Sequence, residues 1–112
     1  MKFLKDDLKV SQDLSAAALS YTTTYSKAFK LDMILIKFSV NVTEDITITL
    51  DSANGSAYDV VLRTKGLSSE SSFVYKPEGD ANFVKGDQIK VQCTNANATG
   101  IAYMVLKSKE VS

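Results

Sequence analysis

Histidine is absent from this 112-residue chain, and its absence narrows the catalytic chemistry open to it. Without imidazole there is no Ser–His or Cys–His nucleophile pair and no imidazole metal site. Cys93 is the single cysteine, so no intramolecular disulfide framework exists. It follows Ile89 and Val91 at period two, which reads as a small buried hydrophobe on a strand rather than a reactive thiol. The carboxylates of Asp6-Asp7, Glu44-Asp45 and Asp80 stand beside turns or chain ends, where solvation and turn hydrogen bonding account for them. A glycosidase-type acid pair needs two buried carboxylates facing a cleft, and Asp59 with Asp32 is the pairing the sequence leaves open. No EF-hand spacing, P-loop or Gly-x-Gly-x-x-Gly occurs. The expectation is a protein that is not an enzyme, with no catalytic, cofactor-binding or metal-ligating residues.

Two further motifs have plain structural explanations. Lys85-Gly86-Asp87 has the form of an adhesion tripeptide, yet glycine for a turn and Asp for its side-chain hydrogen bond explain it better. Asn41-Val42-Thr43, Asn54-Gly55-Ser56 and Asn97-Ala98-Thr99 are literal glycosylation sequons. Ser and Thr are abundant, and Met1-Lys2-Phe3-Leu4-Lys5-Asp6-Asp7 has no apolar h-region, so a secreted glycoprotein is not the expectation.

Lys and Arg number 13, Asp and Glu 13, giving zero formal net charge with Arg63 as the sole arginine. Phosphate binding normally shows as a basic excess, so nucleic acid is not expected as a partner. The longest aliphatic run, residues 33–36, is far short of a membrane span, so no membrane partner is expected either. A hydrophobic share of 45% supports one core and one domain.

The elements that would position these side chains are strands. In residues 44–50, Ile46, Ile48 and Leu50 alternate with Thr47 and Thr49, which puts apolar side chains on one face and hydroxyls on the other. Residues 19–25 carry Tyr21, Thr22, Thr23, Thr24 and Tyr25, which favour a strand. A longer strand is expected over 29–42, with Ile34, Ile36, Phe38, Val40 and Val42 as its core face. Its odd positions Phe29, Leu31, Met33 and Leu35 are apolar too, and a strand apolar on both faces must be covered on both. Either the N-terminal segment or preceding strand covers them, or Leu31, Met33 and Leu35 meet another subunit.

Strands at 45–51 and 58–64 flank Ser52-Ala53-Asn54-Gly55-Ser56. A two-residue Asn-Gly hairpin would place Val60 and Leu62 on the face of Thr47 and Thr49, so the loop has an odd length or the chain changes sheets there. Short strands follow at 73–75, 88–94 and 101–107, with Pro77 stopping the first. About seven strands at short spacing indicate an all-β, antiparallel two-sheet β-sandwich, jelly-roll-like. The expected core is Ile34, Ile36, Phe38, Ile46, Ile48, Leu50, Val60, Leu62, Ile89, Val91 and Cys93. Residues 1–15 differ in composition and read as an N-terminal arm or a short amphipathic segment, with Phe3, Leu4 and Leu8 at helical spacing, before a domain over 16–112.

Phe83-Val84-Lys85-Gly86-Asp87-Gln88-Ile89-Lys90-Val91, then an Asn-rich loop, then Gly100-Ile101-Ala102-Tyr103, resembles the end of a small viral jelly roll. The stretch from Phe29 to Ser39 running into Thr43-Glu44-Asp45-Ile46-Thr47-Ile48-Thr49-Leu50 resembles its front half. Together they resemble the capsid decoration (cement or staple) proteins of tailed phages, in particular those of epsilon-fifteen-like short-tailed phages. The resemblance implies a virion structural protein, made in the host cytoplasm, that binds the outer capsid surface as a homodimer. There it ties neighbouring major capsid protein subunits together and stabilises the shell. The contact residues expected are Phe3, Leu4 and Leu8 of the arm and Leu31, Met33 and Leu35 of the long strand. The alternatives are a ligand- or carbohydrate-binding β-sandwich module, or another phage head or tail component. A carbohydrate site would require tyrosine platforms in place of the missing tryptophan.

Overall fold

Among the described residues of the computed structural model, nine strands follow one another: β1 (Phe3–Asp13), β2 (Leu19–Thr24), β3 (Phe29–Val42), β4 (Asp45–Asp51), β5 (Val60–Gly66), β6 (Glu70–Tyr75), β7 (Asn82–Phe83), β8 (Gln88–Cys93) and β9 (Ile101–Val111). The structure describes residues 3–25, 27–77 and 82–111, without the side chains of residues 3–8, 82, 110 and 111. One sheet has the order β1-β9-β3-β6, with β7 also pairing β3, and the other has the order β2-β8-β4-β5. All pairings are antiparallel. Leaving out the two-residue β7, the first strand pairs with the last, the second with the second-last, and so inward to β4 with β5. That is one long hairpin wound into two facing sheets, the jelly-roll arrangement. The expected all-β sandwich is the fold.

The apolar period-two faces meet between the sheets. Ile34, Ile36 and Phe38 of β3, Met104 and Leu106 of β9, Ile46 and Ile48 of β4, and Ile89, Val91 and Cys93 of β8 are buried. Residues 3–13, expected as an arm or short amphipathic segment, are instead edge strand β1, paired with β9 from Phe3↔Val111 to Asp13↔Ile101. Val10 packs against the core, so β1 belongs to the sandwich.

The long strand departs from simple alternation. Leu31 pairs with Ser108 and Met33 with Lys107, so Asp32 is an extra residue in β3. A bulge of this kind shifts the parity of everything beyond it. Phe29 and Leu31 therefore share the core face with Ile34, Ile36 and Phe38, and Leu31 is a core residue rather than a contact residue. Val40, expected in the core, is 46% exposed, beyond Lys37, where the pairing with β6 loses register.

The connection after β4 is not a two-residue hairpin: nine residues, an odd number, separate the paired Leu50 and Val60. Leu50 pairs with Val60 within one sheet, so the chain does not change sheets there. Residues 52–59 form a wider loop containing a 3-10 turn (Ser56–Tyr58), and a register shift follows between Ile48 and Thr49. Because β5 is an edge strand, Val60 is 50% exposed and Leu62 half-buried, against the expectation that both lie inside.

Two buried carboxylates tie the corners. Glu44, expected to be solvated, accepts hydrogen bonds from Thr94 Oγ1 (2.8 Å) and the Ala96 and Asn97 backbone N–H groups (both 2.9 Å). Asp87 accepts from the Ala53 N–H at 2.8 Å and the Val84 N–H at 3.2 Å, closing the Lys85-Gly86-Asp87 turn as a structural feature. Gly100 has φ +82°, and a Cβ there would meet Val40 Cγ2 at 2.8 Å.

Gly100→Ala is expected to lower stability by about 1–3 kcal/mol through left-handed backbone strain and that clash. Urea unfolding of the variant against the parent checks it, and an unchanged midpoint contradicts it. For Glu44, burial raises the carboxyl's pKa, but the hydrogen bonds from Asn97, Thr94 and Ala96 together prevail and hold it below its ordinary 4.5. Its contribution to stability is therefore complete above pH 4.5 and fades as pH falls through the lower folded value. Glu44→Gln should remove that part of the acid dependence and cost roughly 1.5–3 kcal/mol at neutral pH, read from denaturation between pH 3 and 7.

Candidate partner-binding face

The two sheets present unlike outer faces. On the β2-β8-β4-β5 sheet, the outward rows are Ser20–Gln92–Thr47–Thr64 and Thr22–Lys90–Thr49–Val61, hydroxyl-rich apart from Val61. On the other sheet, the ladder aligns Lys9, Val105, Leu35 and Val74 in one row across β1, β9, β3 and β6. The next row is Ser11–Tyr103–Lys37–Ser72, and on the other side Met33 stands opposite Lys107. Because Ile34, Ile36, Met104 and Leu106 point inward, alternation turns Met33, Leu35, Tyr103 and Val105 outward.

Val74 and Tyr103 are 50% and 46% exposed, while Met33, Leu35 and Val105 are half-buried by their neighbours. A depression of about 290 Å³ lies between β1 and β9, lined by Lys9, Val10, Ser11, Tyr103, Met104 and Val105. Lysines run through this apolar surface: Lys9 and Lys37 in its rows, Lys107 opposite Met33, and Lys30 opposite Lys109. Lys109 reaches Asp32, the bulge residue, at 3.7 Å. The face thus combines apolar area with lysines, two of which stand beside acids: Lys109 by Asp32, and Lys107 in register with Asp7 of β1.

Of the contact residues expected from sequence, Met33 and Leu35 lie together on this face and Leu31 does not. Phe3, Leu4 and Leu8 lie outside the residues with described side chains; their backbones stand opposite Val111, Glu110 and Leu106. Sequence reasoning missed Val74, Tyr103 and Val105. They sit at odd spacing from core residues of their own strands, but only the ladder register brings them beside Leu35.

The acid pairing that the sequence left open is not formed. Asp32 pairs with Lys109 and exposed Asp59 accepts the Ser52 N–H at 2.8 Å, so they do not form a buried acid pair. Among the described residues no cluster of His, Cys, Asp or Glu could hold a metal ion. No helix is long and apolar enough to cross a membrane. Of the tyrosines, Tyr25 is buried against Phe29 and bonded to Ser108, and Tyr21 and Tyr75 are half-buried. The two exposed ones, Tyr58 and Tyr103, belong to different elements, the 3-10 turn and β9.

Burial pushes the Cys93 thiol up to about 11, reinforced by the negative charges of Glu44 and Asp45. At pH 8 only about one thiol in a thousand is then thiolate. The folded protein is expected to leave a disulfide dye reagent essentially unreacted over minutes, with full reaction in denaturant. Rapid labelling of the native protein contradicts the buried placement.

No family model matches the sequence, and no curated protein matches it. Among solved structures, the nucleoplasmin-like N-terminal domain of Drosophila FKBP39 is similar at TM-score 0.51 and 12% identity, over 96% of this chain and 91% of that one. The Drosophila NLP core, studied for pentamer formation and histone binding, is similar at TM-score 0.44 and 9% identity, over 91% of this chain and 96% of that one. The complex of Aeromonas sobria serine protease with its chaperone contains a segment similar at TM-score 0.45 and 13% identity, covering 100% of this chain but 28% of that one. These likenesses are of fold.

Proposed function

We propose that the protein is a non-enzymatic structural component that docks on a larger protein assembly through the outer face of the β1-β9-β3-β6 sheet. The observation that carries this reading is the Val105–Leu35–Val74 row with Met33 and Tyr103 beside it, a run of apolar side chains across three strands, where the other sheet exposes only the edge pair Val60 and Val61 among its described residues. Exposed apolar area contiguous across strands marks an interaction surface more often than scattered single residues do. The resemblance to phage decoration proteins supplies the assembly. The partner is the major capsid protein, the location is the outer capsid surface of the virion, and the effect is to tie neighbouring subunits together. Binding that favours the closed shell stabilises it by linkage, and many copies multiply a modest interface.

A homodimer, which the same resemblance implies, would form through another surface. A face engaged with the capsid is not available to a second copy. The carbohydrate-binding alternative has less support, because the exposed tyrosines share no platform.

Fully burying a Val or Leu side chain is worth roughly 1.5–3 kcal/mol, and because Leu35 and Val74 are already about half covered, replacing both should weaken docking about ten- to a hundredfold. The pair Leu35→Glu and Val74→Glu is therefore expected to leave circular dichroism and melting near those of the parent while weakening binding to undecorated capsids in co-sedimentation by at least that factor. Full binding by a folded double variant contradicts the docking face.

A further inference from the structure

We propose that the cleft between β5 and β6 is a binding site for a carboxylate carried on an extended partner segment. The cleft has a volume of about 430 Å³ and is lined by Leu62, Arg63, Val74, Tyr75 and Lys76. It lies where two sheet edges approach, β6 ending one sheet and β5 the other, with no ladder joining them. Each edge strand keeps one side of its backbone donors and acceptors outside the sheet, which suits pairing with an added strand.

Among the described residues the charge of the site is one-sided. Arg63, the sole arginine, and Lys76 both line the cleft, and among the described residues neither has a carboxylate within ion-pair distance. The Arg63 guanidinium stands over the ring of buried Phe73 on the opposite sheet, 6.0 Å from its centroid, at the outer limit of a cation–π contact. A guanidinium held in this way presents paired donors that match a carboxylate. Tyr75 adds a phenol, and Leu62 and Val74 supply apolar walls. The ligand chemistry that fits is an acidic side chain flanked by apolar ones on an extended backbone. The site goes beyond the docking face and does not depend on it, although Val74 borders both.

The test is titration of the ¹⁵N-labelled full chain with the blocked peptide acetyl-Thr-Val-Glu-Val-Thr-amide, with its Gln analogue, and with inorganic phosphate. The expected result is amide shifts confined to β5 and β6, with binding about tenfold weaker for the Gln analogue and for either Arg63→Gln or Lys76→Gln. Both substituted side chains are exposed, and the same spectra report whether each variant is folded. Equal binding of the Gln analogue, unchanged affinity in both folded variants, shifts elsewhere, or phosphate binding as tightly as the peptide would each overturn the proposal. The last outcome would mark a bare anion site. None of these results bears on capsid docking, which the sheet-face variants test separately.

Discussion

One inserted residue, Asp32, decides which way the longest strand faces. Up to Leu31 the odd positions of β3 point into the sandwich; after the bulge the even ones do. The core thereby receives Phe29, Leu31, Ile34, Ile36 and Phe38 from one strand, and Met33 and Leu35 are left to face outward. Without the bulge, either Phe29 and Leu31 or Ile34, Ile36 and Phe38 would lie outside, each choice uncovering large apolar side chains. Asp32 itself is held by Lys109 across the sheet, which anchors the irregularity at the lysine-bearing end of the outer face. Core and candidate interface are thus two consequences of a single register shift.

The wound hairpin needs its corners tied as well as its sheets packed. Glu44 takes three donors from the β8–β9 connection, and Asn97 in return donates to the Thr43 carbonyl at 2.6 Å. Asn95 Nδ2 donates to the Leu14 carbonyl at 3.2 Å, and the Leu14 N–H to the Gly100 carbonyl at 3.0 Å, joining the same connection to the β1–β2 corner. The Asn-rich loop is therefore a clasp between two corners. A buried carboxylate suits the purpose because it accepts several backbone donors that would otherwise be left without water. At the other end, Asp87 and Ala53 join the β7–β8 turn to the β4–β5 loop.

Period-two alternation made the sandwich legible, because Ile46, Ile48, Ile89, Val91 and Cys93 lie on strands whose faces differ plainly in polarity. That the connection after β4 is no two-residue hairpin was legible too, since parity forbade it, but parity left a change of sheets open and the pairing of β4 with β5 decided between the two. The Asp32 bulge was not: a strand apolar on both faces carries no sign of where its parity changes. Strand β1 was hidden by its charges, which an edge strand tolerates and an interior strand does not. Val60 looked like core because its neighbours alternate correctly, but an edge strand leaves such a residue half uncovered. Half of the candidate face, Met33 and Leu35, was visible as surplus apolar side chains. The other half, Val74, Val105 and Tyr103, became visible only through cross-strand register.

The central claim is that one outer sheet face, and not the opposite face or the exposed loop at Tyr58, meets the partner assembly. Hydroxyl-radical footprinting of the protein free and bound to capsids tests this directly, because oxidation reports side-chain access at Met33, Leu35, Tyr103 and Tyr58 in one experiment. The account predicts strong protection of Met33, Leu35 and Tyr103 on binding with Tyr58 unchanged. Protection at Tyr58, with Met33, Leu35 and Tyr103 oxidised as in the free protein, would contradict it.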